Sequence, residues 1–407
     1  MGKPVWGMVE LLSWLADNPD PTGREIEDCL RAHLERGISN IVWSAARSAV
    51  GYWTELPGAT RATQNGAQTD NPEFAAFTRV MRERCPLNTA LEYSRANGMT
   101  LYARICVNHH YSSGHPFRSA FAESNPQWHC ATKDGAADPA RMCFFFPEVR
   151  AERVAIVREI ALMGVNGVML DFCRTPPILQ YQASLRKAYR NEASVDPAEL
   201  SPKNRKAFLP WALFRTEFAT QFLRDARTAL NEASARIRRK IALQVRVPDL
   251  GIDANLLGGV NIVRWLSEGL IDELVLDPME WIENYHTHDP DVYIDLCKDR
   301  AITIHGGVSG VPVDGFEFNP LPVARRAKSL LDYGVDGVHV FGSESAARNP
   351  DMGWLLPDIG DSAALGQILS DRSLKKKYPV TWTNGNSGFD NMSSLPGFGW
   401  DNGERAL

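Results

Sequence analysis

No segment of the 407-residue chain approaches the ~20 consecutive apolar residues that a membrane-spanning helix needs, so no helical membrane anchor is expected in it. Strong positive charge is equally scarce. The net charge is −5, and the densest basic run is Lys375-Lys376-Lys377, which argues against a general polyanion binder and leaves nucleic acid out of the expected partners. Cysteine is sparse and unpatterned: Cys29, Cys85, Cys106, Cys130, Cys143, Cys173 and Cys297 form an odd set with no CxxC and no zinc-type spacing. Cysteines in apolar segments behave as small buried hydrophobes, which leans toward a reducing compartment. Cys130 and Cys143, which bracket a loop, are the pair that would join in an exported protein. The first residues lack the apolar core of a signal peptide, and Trp6 already opens a strand-like segment. Location stays open between cytoplasmic and, if a leader has been removed, periplasmic or secreted. Metalloprotease spacings of the H-E-x-x-H kind are also missing, so no metal or other cofactor is expected.

What is present is alternation. Apolar strand-like runs at 5–10, 40–45, 101–107, 167–171, 241–247, 273–277, 302–305 and 337–341 are separated by amphipathic helical stretches. Those stretches lie at 24–36, 72–96 with a break at Pro86, 148–163, 207–234, 261–269, 291–298 and 321–333. Eight βα repeats over this length predict one α/β domain, a (β/α)8 TIM barrel of residues 1–371 with long βα loops. The strands are apolar without strict alternation, as parallel strands covered by helices are. Residues 108–146 and 178–201 read as loop-like excursions. Residues 372–407, rich in Gly, Asn, Ser and aromatics, read as a loop-rich tail packed on the barrel.

In a parallel barrel the residues at the carboxyl ends of the strands converge on one mouth, whatever their separation in sequence. Reading them in order gives Glu10, Arg47, Asn108, His109, His110, Asp171, Arg174, Arg246, Asp249, Asp277, Glu280, His305 and Glu344. Carboxylates dominate, and two carboxyl groups facing one bond are what glycoside hydrolysis requires. The run Gly167-Val168-Met169-Leu170-Asp171 places an acid at the end of the fourth strand, with Arg174 three residues on, so Asp171 is the leading catalytic candidate. Asp277 and Glu280 are the candidates for its partner, although Asp277-Pro278 is equally good turn chemistry. Glu10, Arg47, His109, His110, Arg174, Arg246, His305, Glu344 and Trp281 are assigned to substrate binding. His109 and His110 alternate along the chain, so at most one faces the mouth. Trp43, Trp53, Tyr111, Trp128, Trp281, Tyr285 and Trp354 are potential platforms for sugar rings.

Two blocks carry a family resemblance. Pro147-Glu148-Val149-Arg150 followed by Asn166-Gly167-Val168-Met169-Leu170-Asp171-Phe172-Cys173-Arg174-Thr175-Pro176 resembles the helix start and fourth strand of bacterial barrels called the glycosyl-hydrolase-like 10 group. Val245-Arg246-Val247-Pro248 and the segment from Asn261 to Asp272 are similar to the fifth strand of those barrels and the helix after it. The chain departs at Asn166, where the group usually has Asp, and at Leu276-Asp277-Pro278, where many relatives read Val-Pro-Ser. The resemblance covers roughly residues 90–345 and implies a bacterial glycosidase barrel acting on an oligo- or polysaccharide. By analogy with retaining barrel glycosidases it implies Asp171 as nucleophile or base and Asp277 or Glu280 as proton donor. Arg174 and Arg246 would hold Asp171 ionised and bind polar groups of the sugar, and with Arg47 they make an anionic glycan compatible.

Three rivals compete with that expectation. His305-Gly306-Gly307 and Phe341-Gly342-Ser343 sit where barrels often cradle a phosphate, which would suit a phosphate- or flavin-binding enzyme. A metal-dependent hydrolase would draw on His109 or His110, Asp171 and His305. The last is a catalytically inactive sugar-binding barrel. The sequence pattern specifies neither the sugar and linkage nor an oligomeric state.

Overall fold

The computed structural model describes residues 2–16, 18, 20–62, 71–110, 115, 117–173, 178–249, 251–277, 290–311 and 318–379. Eight parallel strands close a barrel. In chain order they are β1 (Val5–Val9), β2 (Asn40–Ala46), β3 (Thr100–Cys106), β6 (Gly167–Asp171), β7 (Ala242–Pro248), β8 (Glu273–Asp277), β9 (Thr303–Ser309) and β10 (Gly337–Phe341). Closure comes from β1, which pairs with β2 on one side and with β10 on the other. Every barrel strand lies beside its neighbours in the chain order of the barrel, as a right-handed succession of βα units dictates. The predicted (β/α)8 barrel is therefore present.

Side-chain alternation along these strands divides the interior into two cores. Residues pointing outward, among them Val9, Ile41, Trp43, Leu101, Val168, Leu170, Val245 and Leu274, join the helices in one continuous apolar layer. Those pointing inward, Trp6, Met8, Val42, Tyr102, Met169, Val275 and Phe341, form a separate cluster inside the barrel. The filled interior leaves chemistry to the rim. Trp43, expected as a sugar platform, belongs to the outer layer and is 1% exposed, so it is core instead.

Helix boundaries follow local chemistry. Pro72–Glu83 starts with proline in its first turn and is capped by Asn71, whose side chain accepts from the Glu73 and Phe74 amides. Arg84 and Cys85 are extended, and Pro86 opens the next helix, Pro86–Ala96, which is the predicted break. The longest helix, Arg205–Ile237, carries Pro210 in its second turn, near the end where the missing amide costs least. It buries Phe208, Trp211, Phe222 and Leu223 against the barrel layer. Trp265, fully buried against Phe172, donates to Thr220 Oγ1 at 3.0 Å; truncating such an indole costs about 3–5 kcal/mol.

Two stretches read as loops contain structure. Within 108–146, β4 (His129–Ala131) and β5 (Ala137–Met142) form an antiparallel hairpin. Residues Ala183–Ala193 form a helix capped by Gln182, which accepts from the Ser184 and Leu185 amides, and ended by Ser194 in the left-handed region at φ 58°. The predicted seventh strand stopped at His305, whereas β9 continues to Ser309. Lys375, Lys376 and Lys377 occupy the last turn of Arg372–Lys377, where cations complement the helix dipole. Among the described residues no helix is long and apolar enough to cross a membrane.

Candidate active site

Six neighbouring barrel strands each contribute one charged side chain, near or just past the carboxyl end, to one alternating chain. Arg47, just after β2, pairs with Glu10 after β1. Glu10 Oε1 accepts from Arg104 Nη1 at 2.7 Å, and Arg104 Nε donates to Asp171 Oδ2 at 2.6 Å. A second Arg104 nitrogen pairs with the same carboxyl oxygen. From the other side Arg246 Nη1 reaches Asp171 at 3.0 and 3.1 Å, while its Nη2 lies 2.8 Å from Asp277 Oδ1. The order is Arg47, Glu10, Arg104, Asp171, Arg246, Asp277. A guanidinium inside a barrel is tolerable only when paired in this manner, and bidentate charge-assisted bonds give the pairing fixed geometry.

The strand register produces the arrangement. Asp171 is the last residue of β6 and pairs with Arg246 on β7 and Cys106 on β3, so the two arginines approach it from flanking strands. Phe341 lies beneath, with the Arg104 and Arg246 guanidinium carbons 5.6 and 4.8 Å from its ring centroid. Gly307, on β9, has no side chain because a Cβ there would run into the Asp277 carboxyl. Its carbonyl accepts from Arg326 Nε at 2.7 Å, and Arg326 also pairs with Asp249, which ties the ends of β7 and β9 together.

The carboxyl groups differ in what remains free. Both Asp171 oxygens are engaged, since Oδ1 also accepts from the Cys173 amide at 2.8 Å. Such a carboxyl is held as an acceptor-only anion. Asp277 Oδ2 is buried and has no hydrogen-bond partner among the described residues. Burial raises its pKa above the ordinary carboxyl value; Arg246 and Arg326 work against the rise, and the charge of Asp171 adds to it. Glu344, in the first turn of Ser343–Arg348, is likewise buried with Oε2 unpartnered among the described residues. Burial pushes it up to about 8 against the pull of Arg104, Arg47 and Arg348. Its helix is fixed from below: Ser343 Oγ lies 2.8 Å from His33 Nε2, and the other ring nitrogen lies 2.7 Å from the Cys29 carbonyl.

Of the residues predicted for the site, the structure brings together Glu10, Arg47, Asp171, Arg246, Asp277 and Glu344. Arg174, Glu280 and Trp281 lie outside the described residues, as do Tyr111 and Tyr285. His305 is misplaced by the prediction. It sits low in the barrel, its Nε2 3.4 Å from Glu273 Oε2 and its ring edge-on to His339, because β9 runs four residues past it. His110 is a packing residue, buried where its amide donates to the Ala140 carbonyl of the hairpin, with its imidazole pushed well below the ordinary value by burial and by Arg153. His109, its neighbour, is half-buried. Asn108 pins the hairpin by donating to the Met142 and Ile178 carbonyls at 2.9 and 2.8 Å. Arg104 escaped the sequence reading. Its signal was available: an arginine in the middle of Thr-Leu-Tyr-Ala-Arg-Ile-Cys must find a buried anion.

Two of the rival arrangements are placed by the strands. Gly306 and Gly307 are strand residues packed against Leu330 and Asp277, so they form no phosphate-cradling loop. Among the described residues no three His, Cys, Asp or Glu side chains converge as metal ligands.

No protein-family profile and no curated protein matches the chain, so the group suggested by the Asp171 strand finds no match of its own. Solved structures do match. Alpha-L-fucosidase isoenzyme 2 from Paenibacillus thiaminolyticus superposes with a TM-score of 0.53 at 11% identity, covering 92% of this chain and 50% of that one. An alpha-galactosidase from Thermus thermophilus gives 0.44 at 12% identity, over 89% and 62% of the two chains. The glycoside hydrolase domain of PelA from Pseudomonas aeruginosa gives 0.42 at 13%, over 85% and 97%. The chain thus spans half the length of the fucosidase it matches. In fold it is a (β/α)8 barrel similar to that of the fucosidase.

Proposed function

We propose that the protein is a glycosidase whose chemistry is carried by Asp171 and Asp277. The observation behind this reading is that one guanidinium, Arg246, holds both carboxyl groups, one with its oxygens filled and one with an oxygen to spare. Paired carboxylates with unlike environments divide the work of acid and base. Asp277, its neutral form favoured by burial, gives its proton to the leaving glycosidic oxygen. Asp171, ionised, attacks the anomeric carbon or supports the positive charge that develops there. In the retaining version Asp277 then takes a proton from water, whose oxygen displaces Asp171 from the sugar. A separation of one guanidinium suits the ~5 Å spacing of retaining pairs better than the wider inverting spacing.

The substrate class follows from the same charges. Arg246 bonds two carboxylates and Arg47 pairs with Glu10, so two of the three arginines that made an anionic glycan compatible are already neutralised, which favours a neutral oligo- or polysaccharide. A second reading has an observation of its own. Asp171 is 0% exposed with both oxygens engaged, as a keystone of a catalytically inactive sugar-binding barrel would be.

A panel of neutral and anionic polysaccharides and aryl glycosides, assayed for new reducing ends or released phenol, separates the two. A hydrolase releases product from at least one neutral polysaccharide, whose leaving alcohol needs a proton, and both Asp171→Asn and Asp277→Asn lose that release while remaining folded. Binding of a glycan without turnover by the wild type replaces the hydrolase with the binding barrel.

A further inference from the structure

Outside the mouth, the hairpin β4–β5 holds two cysteines that the proposed chemistry does not use. Cys130 lies in β4, and Cys143 directly follows β5. His129 pairs with Met142, and the Cys143 amide donates to the Trp128 carbonyl at 2.8 Å. Cys130 pairs with Asp138 across a bulge that separates it from His129, so Cys130 and Cys143 each lie one residue beyond the His129–Met142 pair on adjoining strands. Both are 0% exposed and present as free thiols, and the Cys143 thiol is the first group to act on that of Cys130. Asp138 and Arg141 are the charged groups that act on Cys130.

The geometry points to Cys130 and Cys143 as a structural disulfide that closes when the chain meets an oxidising thiol–disulfide buffer. A thiolate of one cysteine attacks a sulfur of oxidised glutathione and expels one glutathione thiolate. The second cysteine, losing its proton, then attacks the protein sulfur of the mixed disulfide and expels the other glutathione. Two protein thiols become one S–S bond, and two electrons and two protons pass to oxidised glutathione, giving two reduced glutathiones. The neighbouring thiol and burial push the Cys130 thiol well above its ordinary value, so the pair is poor as a redox catalyst and suited to a bond that forms and stays.

The bond would staple a hairpin that already bridges two parts of the rim. Asn108, after β3, bonds Met142 in both directions, and the Tyr181 amide donates to the Ala131 carbonyl. Lys133 Nζ donates to the Leu200 carbonyl at 3.0 Å. Closing the 130–143 loop restricts the unfolded chain and leaves these anchors in place.

The test uses the full chain, fully reduced and then equilibrated with oxidised glutathione or with reductant, unfolded, alkylated and weighed. Seven thiols alkylate in the reduced sample, and five are expected in the oxidised one. A tryptic digest should then join peptide 119–133 to peptide 142–150. The oxidised protein should melt about 2–5 °C above the reduced one, and Cys143→Ser should abolish the difference. Seven alkylated thiols after oxidation, glutathione adducts on both cysteines, or a cross-link to any other cysteine would each overturn the proposal. The peptide map of the wild type decides even if Cys143→Ser does not fold.

Discussion

The mouth and the floor of this barrel are both polar, yet they solve burial differently. On the floor one carboxylate, Glu273, collects neutral donors: Tyr102 Oη at 2.6 Å and Gln244 Nε2 at 2.6 Å, with His305 close by. Trp6 stacks on His339 beside them at 5.4 Å between ring centroids. The nearby His305 and the hydrogen bonds from Tyr102 and Gln244 outweigh burial and hold the Glu273 carboxyl below its ordinary value. At the mouth, carboxylates and guanidiniums alternate, and the series ends on Asp277 with a spare buried oxygen. A buried acid ringed by neutral donors, as Glu273 is on the floor, holds a structure together. One with a vacant oxygen and a raised pKa can pass a proton.

The sharpest break of this comparison is in rate. Asp277→Asn should lower kcat/KM by roughly 10²–10⁴-fold, the range for removing a general acid, while Glu273→Gln on the floor should leave it within about threefold. Steady-state kinetics on the glycan that emerges from the panel checks both. Next in size is stability. Arg246→Met leaves Asp171 and Asp277 without their shared cation, and urea unfolding should report a loss of about 3–5 kcal/mol.

Smaller effects come from two buried groups beside the mouth whose titrations have opposite sign. The fold favours neutral Glu344, raised from 4.5 to about 8, so the stability it contributes is full below pH 4.5 and drains away as pH rises toward 8. Glu344→Gln should therefore gain on the wild type between pH 5 and 8, by on the order of 3 kcal/mol. His33 is lowered from 6.5 to about 4, chiefly by burial, so its contribution is present above pH 6.5 and is lost as pH falls toward 4. Thermal melts of His33→Asn should show a shallower acid limb than the wild type. Least of all, His305→Asn should cost about 1 kcal/mol and leave the pH profile of activity unmoved, because the residue belongs to the floor.

Much of the fold was legible because parallel strands wrapped by helices must be apolar throughout, and eight such runs stand out between amphipathic stretches. Asp171 and Asp277 were legible for a related reason: an acid that ends an apolar strand cannot sit in the barrel layer below and must reach the rim. His305 was misread because Gly306-Gly307 after a short apolar run suits the close approach of a ligand at the rim. In the barrel these glycines continue the strand, making room for Leu330 and the Asp277 carboxyl, which is a long-range packing demand that local sequence does not carry. The helix Ala183–Ala193 was missed because only Leu185 and Tyr189 of its residues are buried, so its apolar stripe is thin. Arg104 was overlooked for the reverse reason, a single charge inside an apolar run that was counted as strand and left unpaired.

The central claim is a division of labour between Asp171 and Asp277, and the dependence of rate on the leaving group tests it most directly. Wild type, Asp171→Asn and Asp277→Asn are compared on two glycosides of the same sugar, one whose phenol departs without a proton and one whose alcohol requires it. The account predicts that Asp277→Asn keeps most of its kcat/KM and a burst of released phenol on the first and loses kcat/KM on the second, whereas Asp171→Asn loses both. Full activity of Asp171→Asn on either substrate, or equal loss on both by Asp277→Asn, would contradict it.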